Sequence, residues 1–297
     1  MSNNRLYELH RDAVAQFESG HRFNWILEFD CSVSELRELV IIEARDDAMG
    51  WRSENPPKDF YFSHAQYYRD GVKHIVDELK AKSTSNRALY SLISQSDISG
   101  SGDRPIPSFL TLQCQIEGET LHCTCCFRAL EVSSFLKTNL EEIRQTLVEI
   151  YDGVPTFKKI NLVIFAFHAY KDVTRSPLKR PKLDYLCQAE LMQRLAEKAV
   201  APERSMDEML EELGRAVTSV DPNCLSNLKK LLETNIPGFA FHKGFNAPQF
   251  LMQLGRAIDA EKILGGLRSK ASRGEGVDTA AANYQREIGK LREMLNL

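Results

Sequence analysis

The run Ser108-Phe-Leu-Thr-Leu-Gln-Cys-Gln-Ile-Glu117, the pair Gly118-Glu119 and the run Thr120-Leu-His-Cys-Thr-Cys-Cys-Phe-Arg-Ala-Leu130 read as one β-hairpin. The second arm alternates. Leu121, Cys123, Cys125 and Phe127 fall on one face, and His122, Thr124, Cys126 and Arg128 fall on the opposite one.

Working outward, Ala88-Leu-Tyr-Ser-Leu-Ile and Trp25-Ile-Leu-Glu-Phe-Asp read as further strands. Lys159–His168 is an almost unbroken apolar run, which predicts a strand buried on both faces. Helices are predicted between them. Residues 5–19 carry Leu6, Leu9, Ala13 and Phe17 at helical spacing before Gly20. Residues 34–44 place Leu36, Leu39, Val40 and Ile42 on one side, with Glu38 in the middle. Residues 66–82 and Phe135–Ile150 complete the set. Helices and strands mix without a βαβ repeat, which is the α+β pattern.

From residue 176 the character changes. The basic, proline-containing stretch Arg175-Ser-Pro-Leu-Lys-Arg-Pro-Lys marks a boundary, dividing the chain into residues 1–175 and 176–297. Beyond it the sequence reads as helix throughout, over 183–199, 205–219, 222–234, 247–266 and 278–296. Pro202, Pro222, Pro237-Gly238 and residues 269–276 separate these segments. No catalytic cluster stands there, so the region reads as a packed helical appendage or a surface for a protein partner.

Composition limits the function classes. With 43% hydrophobic residues in 297, the chain can bury a sizeable core. Its 38 basic and 41 acidic side chains give a net charge of -3, against a dedicated nucleic-acid surface but compatible with one phosphate pocket. No apolar run of about 18 residues is present to span a membrane. The seven cysteines are Cys31, Cys114, Cys123, Cys125, Cys126, Cys187 and Cys224. An odd count behind an amphipathic, charged opening segment predicts reduced thiols in the cytoplasm. Cys123-Thr-Cys-Cys126 lacks the spacing of a zinc site.

Taken singly, the polar residues are uninformative: Arg128 reads equally as a surface ion-pair partner, Asn139 as a helix-surface residue and His168 as a core-edge residue. In order, they carry a resemblance. Residues 1–172 resemble thymidylate synthase, with deletions. Arg5-Leu-Tyr-Glu-Leu-His-Arg-Asp-Ala-Val is similar to that family's first helix, and Ser34-Glu-Leu-Arg-Glu38-Leu-Val-Ile-Ile to the helix bearing its catalytic glutamate. Gln66-Tyr-Tyr-Arg69 resembles a tyrosine, glutamine, tryptophan and arginine stretch before a long helix. Ser85-Asn86-Arg87 resembles the paired phosphate arginines, one of them asparagine here. Phe127-Arg128-Ala-Leu-Glu131 matches the strand with a third phosphate arginine and a following acid. Asn139 stands where the family reads the pyrimidine edge, and His168 and Tyr170 where it holds the sugar hydroxyl.

The resemblance implies a mixed sheet with flanking helices and a homodimer. It also implies a pyrimidine nucleoside monophosphate bound by Arg87 (from the other subunit), Arg128, Asn139, His168 and Tyr170. Guanidinium forks suit phosphate, an amide suits a pyrimidine edge, and i, i+2 strand residues share a face.

Departures matter as much. The family's nucleophile is a cysteine in a proline-cysteine-histidine motif; here the stretch is Arg104-Pro-Ile-Pro-Ser108-Phe109. Ser108 is a poor substitute, because an unactivated hydroxyl is far less ionised than a thiol. Cys126, on the face of Arg128, is the remaining candidate nucleophile, and Glu38 the candidate for organising proton transfer. The family's glycine-rich arginine loop and its folate-closing C-terminal tail are missing. Three readings follow: a nucleotide-binding pseudoenzyme or sensor; a methyl- or hydroxymethyl-transferase using a folate donor; or a structural subunit acting through residues 176–297. No cofactor is assigned unless the transferase reading holds.

Overall fold

The hairpin forms the middle of a six-stranded sheet in the computed structural model, which describes residues 4–17, 20–100, 106–171, 180–185, 190, 202–215, 224–233, 247–270 and 274–295. The strands are β1 (His21–Ser32), β2 (Leu89–Ser91), β3 (Phe109–Glu117), β4 (Thr120–Phe127), β5 (Leu130–Glu131) and β6 (Lys159–Tyr170). Their order is β1-β6-β4-β3-β2, with β5 also pairing β6. The pairs β4–β6 and β5–β6 are parallel and the others antiparallel, so the sheet is mixed. With its flanking helices and a C-terminal region whose described elements are helices, the chain is α+β.

Among the described residues seven helices accompany the sheet: α1 (Arg5–Ala15), α2 (Val33–Glu38), α3 (Ile42–Trp51), α4 (Ala65–Tyr68), α5 (Gly71–Ala81), α6 (Gln95–Gly100) and α7 (Phe135–Gly153). Two expected helices are each broken in two. The first break follows Glu38, where the buried Glu141 carboxylate accepts the Ile41 N–H at 2.9 Å and Asn4 Nδ2 donates to the Val40 carbonyl at 2.8 Å. Those bonds satisfy backbone groups that a continuous helix would have paired internally. The second break is at Arg69, whose φ of 46° lies in the left-handed region. Gly71 then opens α5 against β2, where a Cβ would stand 2.6 Å from Tyr90 Cβ, so glycine is required by the close approach.

β6 departs from the expected burial on both faces. Ile160, Leu162, Ile164 and Ala166 are buried, Val163 and Phe165 are half-buried, and Phe167 is 55% exposed. β1, β3 and β4 alternate in the same way. The sheet thus has a core face, packed against helices, and an outer face that is partly open. Among the described residues, α7 is buried almost all round between Leu136 and Leu147, including Thr138, Asn139, Glu141, Glu142 and Arg144. A helix enclosed on every side forces its polar side chains to find partners inside.

The chain divides into two compact units, the first using the described residues up to 171 and the second those from 180. The second contains α8 (Lys182–Tyr185), α9 (Pro202–Arg215), α10 (Cys224–Glu233), α11 (Ala247–Arg268) and α12 (Glu275–Leu295). Pro202 opens α9 rather than separating helices, as suits a residue lacking an N–H. Leu210, Leu213, Leu225, Leu228, Phe250, Leu254, Tyr284, Ile288 and Leu291 build its core. Gln253 Nε2 donates to Glu287 at 2.7 Å inside it, and Arg292 bridges Asp207 (2.8 Å) and Glu211 (3.1 Å). Most of the helix expected over 183–199, the end of that over 205–219, and Pro222 and Pro237-Gly238 lie outside the described residues, as does the boundary at 175. No helix of the described residues is long and apolar enough to cross a membrane.

Candidate functional site

Strand register sorts the expected site residues by face, because directly paired residues point to the same side of a sheet. Phe127 pairs with Ala166 on the core face, whereas Cys126 pairs with Phe165 and Thr111, and Phe165 with Ile26, on the outer face. His168 and Tyr170 continue the even-numbered, core-facing positions of β6. Their rings stack with centroids 5.2 Å apart and planes 14° apart. Phe23 and His21 add rings at 5.0 and 5.4 Å from His168.

The same end of the sheet leads into α7. β5 pairs Glu131 with Tyr170, and the Glu131 carboxylate then clamps the helix N-terminus. It accepts the N–H groups of Ser133 (2.7 Å), Ser134 (2.7 Å) and Phe135 (3.2 Å) and both serine hydroxyls. An acid there satisfies donors that have no partner within the helix and faces the positive end of its dipole. One turn into α7, Asn139 is 4% exposed. Its Nδ2 donates to the Phe135 carbonyl at 2.9 Å, and its Oδ1 has no hydrogen bond among the described residues.

Arg128 lies just past β4. Its Nε and Nη2 donate to the carbonyls of Pro107 (3.2 Å) and Ile106 (3.1 Å). Desolvation pulls the guanidinium below its ordinary pKa, and nearby Tyr170 acts in the opposite direction. Both hydrogen-bond partners are neutral. Among the described residues no carboxylate pairs with this cation, which leaves its charge available to an anion. Ser108, the residue in place of a nucleophile, is half-buried, and its carbonyl accepts the Arg128 N–H at 2.9 Å.

The chain matches no known family model and no curated protein.

Arg128, Asn139, His168 and Tyr170 are therefore gathered around one sheet end and one helix start. Three expected residues are not. Glu38 ends α2 with its side chain exposed rather than semi-buried, because the helix stops there. Cys126 lies on the outer face, across the sheet from His168 and Tyr170, and Arg128 lies past the end of β4, where strand alternation no longer ties it to the face of Cys126. Arg87 is exposed near the far end of the hairpin: Leu89 pairs with Gln113, while Phe127 pairs with Phe109. At about 3.3 Å per strand residue, Arg87 and Arg128 of one chain are roughly 20 Å apart.

A buried pair went unread in the sequence. His64 Nδ1 stands 2.8 Å from both oxygens of Glu142. His64 is 3% and Glu142 1% exposed, and the imidazole packs against Trp51, Phe109 and Phe62. Seventy-eight residues separate the two. The only sequence signal was an acidic pair, Glu141-Glu142, inside a strongly apolar helix.

Proposed function

We propose that the first unit binds a pyrimidine nucleoside monophosphate through a thymidylate-synthase-like arrangement, without cysteine-dependent transfer to the ring. The observation that carries the reading is the unneutralised Arg128 guanidinium beside the stacked His168–Tyr170 pair. In this reading Arg128 takes the phosphate in a charge-assisted fork, His168 and Tyr170 take the sugar hydroxyl, and Asn139 meets the base. Cys126 lies across the sheet from His168 and Tyr170, and among the described residues no base is hydrogen-bonded to the Ser108 hydroxyl, so binding without covalent chemistry fits these residues better than a folate-dependent transfer.

The same proposal includes a homodimer. Two observations support it: an outer sheet face with exposed Phe167 and Ile26 beside half-buried Phe165 and Val163, and an Arg87 too distant to serve its own chain's site. Cys31, Cys114, Cys123, Cys125 and Cys126 form no disulfide among the described residues, which supports a reducing, cytoplasmic setting.

Thermal unfolding in the presence of a panel of nucleoside monophosphates tests the reading. A ligand at 100 times its Kd adds about 2.7 kcal/mol, or roughly 5–10 °C for a unit of this size. A pyrimidine nucleotide is expected to give that shift, and a panel that leaves the melting temperature unchanged would overturn the proposal.

A further inference from the structure

Three thiols of the hairpin share its core face and take no part in the nucleotide reading. They are Cys114 on β3 and Cys123 and Cys125 on β4, each 1% exposed or less. Cys114 and Cys123 are directly paired across the antiparallel ladder. The Cys114 N–H donates to the Ala88 carbonyl and the Ile116 N–H to the Ser83 carbonyl, each at 2.8 Å and each on the side away from β4. Cys114 therefore makes no ladder bond to β4. Its pair with Cys123 is a non-hydrogen-bonded one, the kind in which cross-strand side chains approach most closely.

Distance singles out this pair from its neighbours. Residues so paired have Cβ atoms about 4.5 Å apart, at the upper end of the roughly 3.5–4.5 Å that a disulfide spans. Cys123 and Cys125, two residues apart on one strand, stand about 6.6 Å apart and fall outside that range. Cys126 points to the opposite face. Both thiols of the pair are free in the structure, which is the reduced state.

We infer that Cys114 and Cys123 form a redox-active dithiol, which a hydroperoxide closes to a cross-strand disulfide. Hydrogen bonds from Cys114 first, then Cys125, favour the Cys123 thiolate against desolvation, so Cys123 is the attacking sulfur. It attacks one peroxide oxygen: an S–O bond forms, the O–O bond breaks, and the departing oxygen leaves as water with the thiol proton. The Cys114 sulfur then attacks the sulfenic acid. An S–S bond forms, the S–O bond breaks, and a second water leaves with the Cys114 proton. The two thiols lose two electrons and the peroxide gains them. Hydrogen peroxide is close to water in size, whereas a peptide disulfide is too large to reach thiols so deeply buried. The bond ties β3 to the strand that ends at Phe127, one residue before Arg128.

The test treats the folded full chain with hydrogen peroxide, at an exposure that converts free cysteine to cystine. Remaining thiols are then alkylated in denaturant, and the chain is cleaved after Glu117 and Glu119, which separates the two arms of the hairpin. Mass spectrometry should find the Cys114 fragment joined to the fragment of Cys123, lighter by two hydrogen atoms and released by dithiothreitol. Tandem fragmentation of the wild-type link assigns the partner, so the result needs no variant; Cys125→Ala and Cys126→Ala should form the same link. Cys114 left fully alkylated after treatment, a link from Cys114 to Cys125 or Cys126, or a link that forms only once the protein is unfolded would overturn the inference. None of these outcomes bears on the nucleotide reading, which is independent of this pair.

Discussion

Replacing Glu131 tests how the fold positions the proposed site. Its carboxylate, 3% exposed, holds three backbone N–H groups and two hydroxyls at the start of α7. A single capping bond contributes about 1–2 kcal/mol, and bonds to a charged acceptor lie toward the upper end. Water can reach the half-buried Ser133, Ser134 and Phe135 once the acid is gone, so the five bonds do not add in full. Glu131→Ala should therefore cost about 3 kcal/mol, and Glu131→Gln, which keeps one acceptor but no charge, about half that. For a unit of this size 3 kcal/mol corresponds to a fall of roughly 6–12 °C in Tm. Urea unfolding at neutral pH, with the m-value checked for constancy, measures both. A Glu131→Ala protein within about 0.5 kcal/mol of wild type would refute the role of this carboxylate as the clamp of α7.

Three further outcomes follow from particular contacts. Gly71→Ala places a Cβ 2.6 Å from Tyr90 Cβ and should destabilise by about 1–3 kcal/mol in urea melts despite alanine's better helix propensity; a stabilised variant would contradict the close approach of α5 to β2. Lys290 first, then Gln253, against an opposing desolvation, hold the Glu287 carboxyl down from 4.5 to about 2. Its contribution, at most about 3 kcal/mol, is thus present above pH 4.5 and lost as pH falls towards 2. Glu287→Gln should flatten stability over that range, and an unchanged acid profile by circular dichroism would contradict it. Phe167→Asp should turn a dimer into a monomer in size-exclusion chromatography with light scattering, whereas a wild type that is monomeric at every concentration would remove the dimer proposal.

The hairpin at 108–130 was legible because alternation over eight residues is a local property that one buried face imposes. The helices among the described residues from 182 onward were legible for the same reason, at the helical period. What escaped reading depends on distant partners. The end of α2 after Glu38 is set by Glu141, a hundred residues away, and so moved the expected catalytic glutamate into solvent. Cys126 was placed on the correct alternation face, but its relation to His168 is decided by the parallel pairing of β4 with β6, which no local pattern records. The apolar run of β6 suggested two covered faces because composition does not tell a covered apolar side chain from the exposed Phe167. His64 and Glu142 meet only because α7 is enclosed on every side.

The most direct measurement compares a pyrimidine nucleoside with its own 5′-monophosphate, for wild type and for Arg128→Ala, by equilibrium titration. A charge-assisted fork contributes about 1.5–3 kcal/mol, so phosphate should tighten binding to wild type roughly 10- to 150-fold, and that gain should largely vanish in Arg128→Ala while nucleoside affinity is kept. The same phosphate gain in both proteins, or none in wild type, would contradict the nucleotide site proposed at Arg128, His168 and Tyr170.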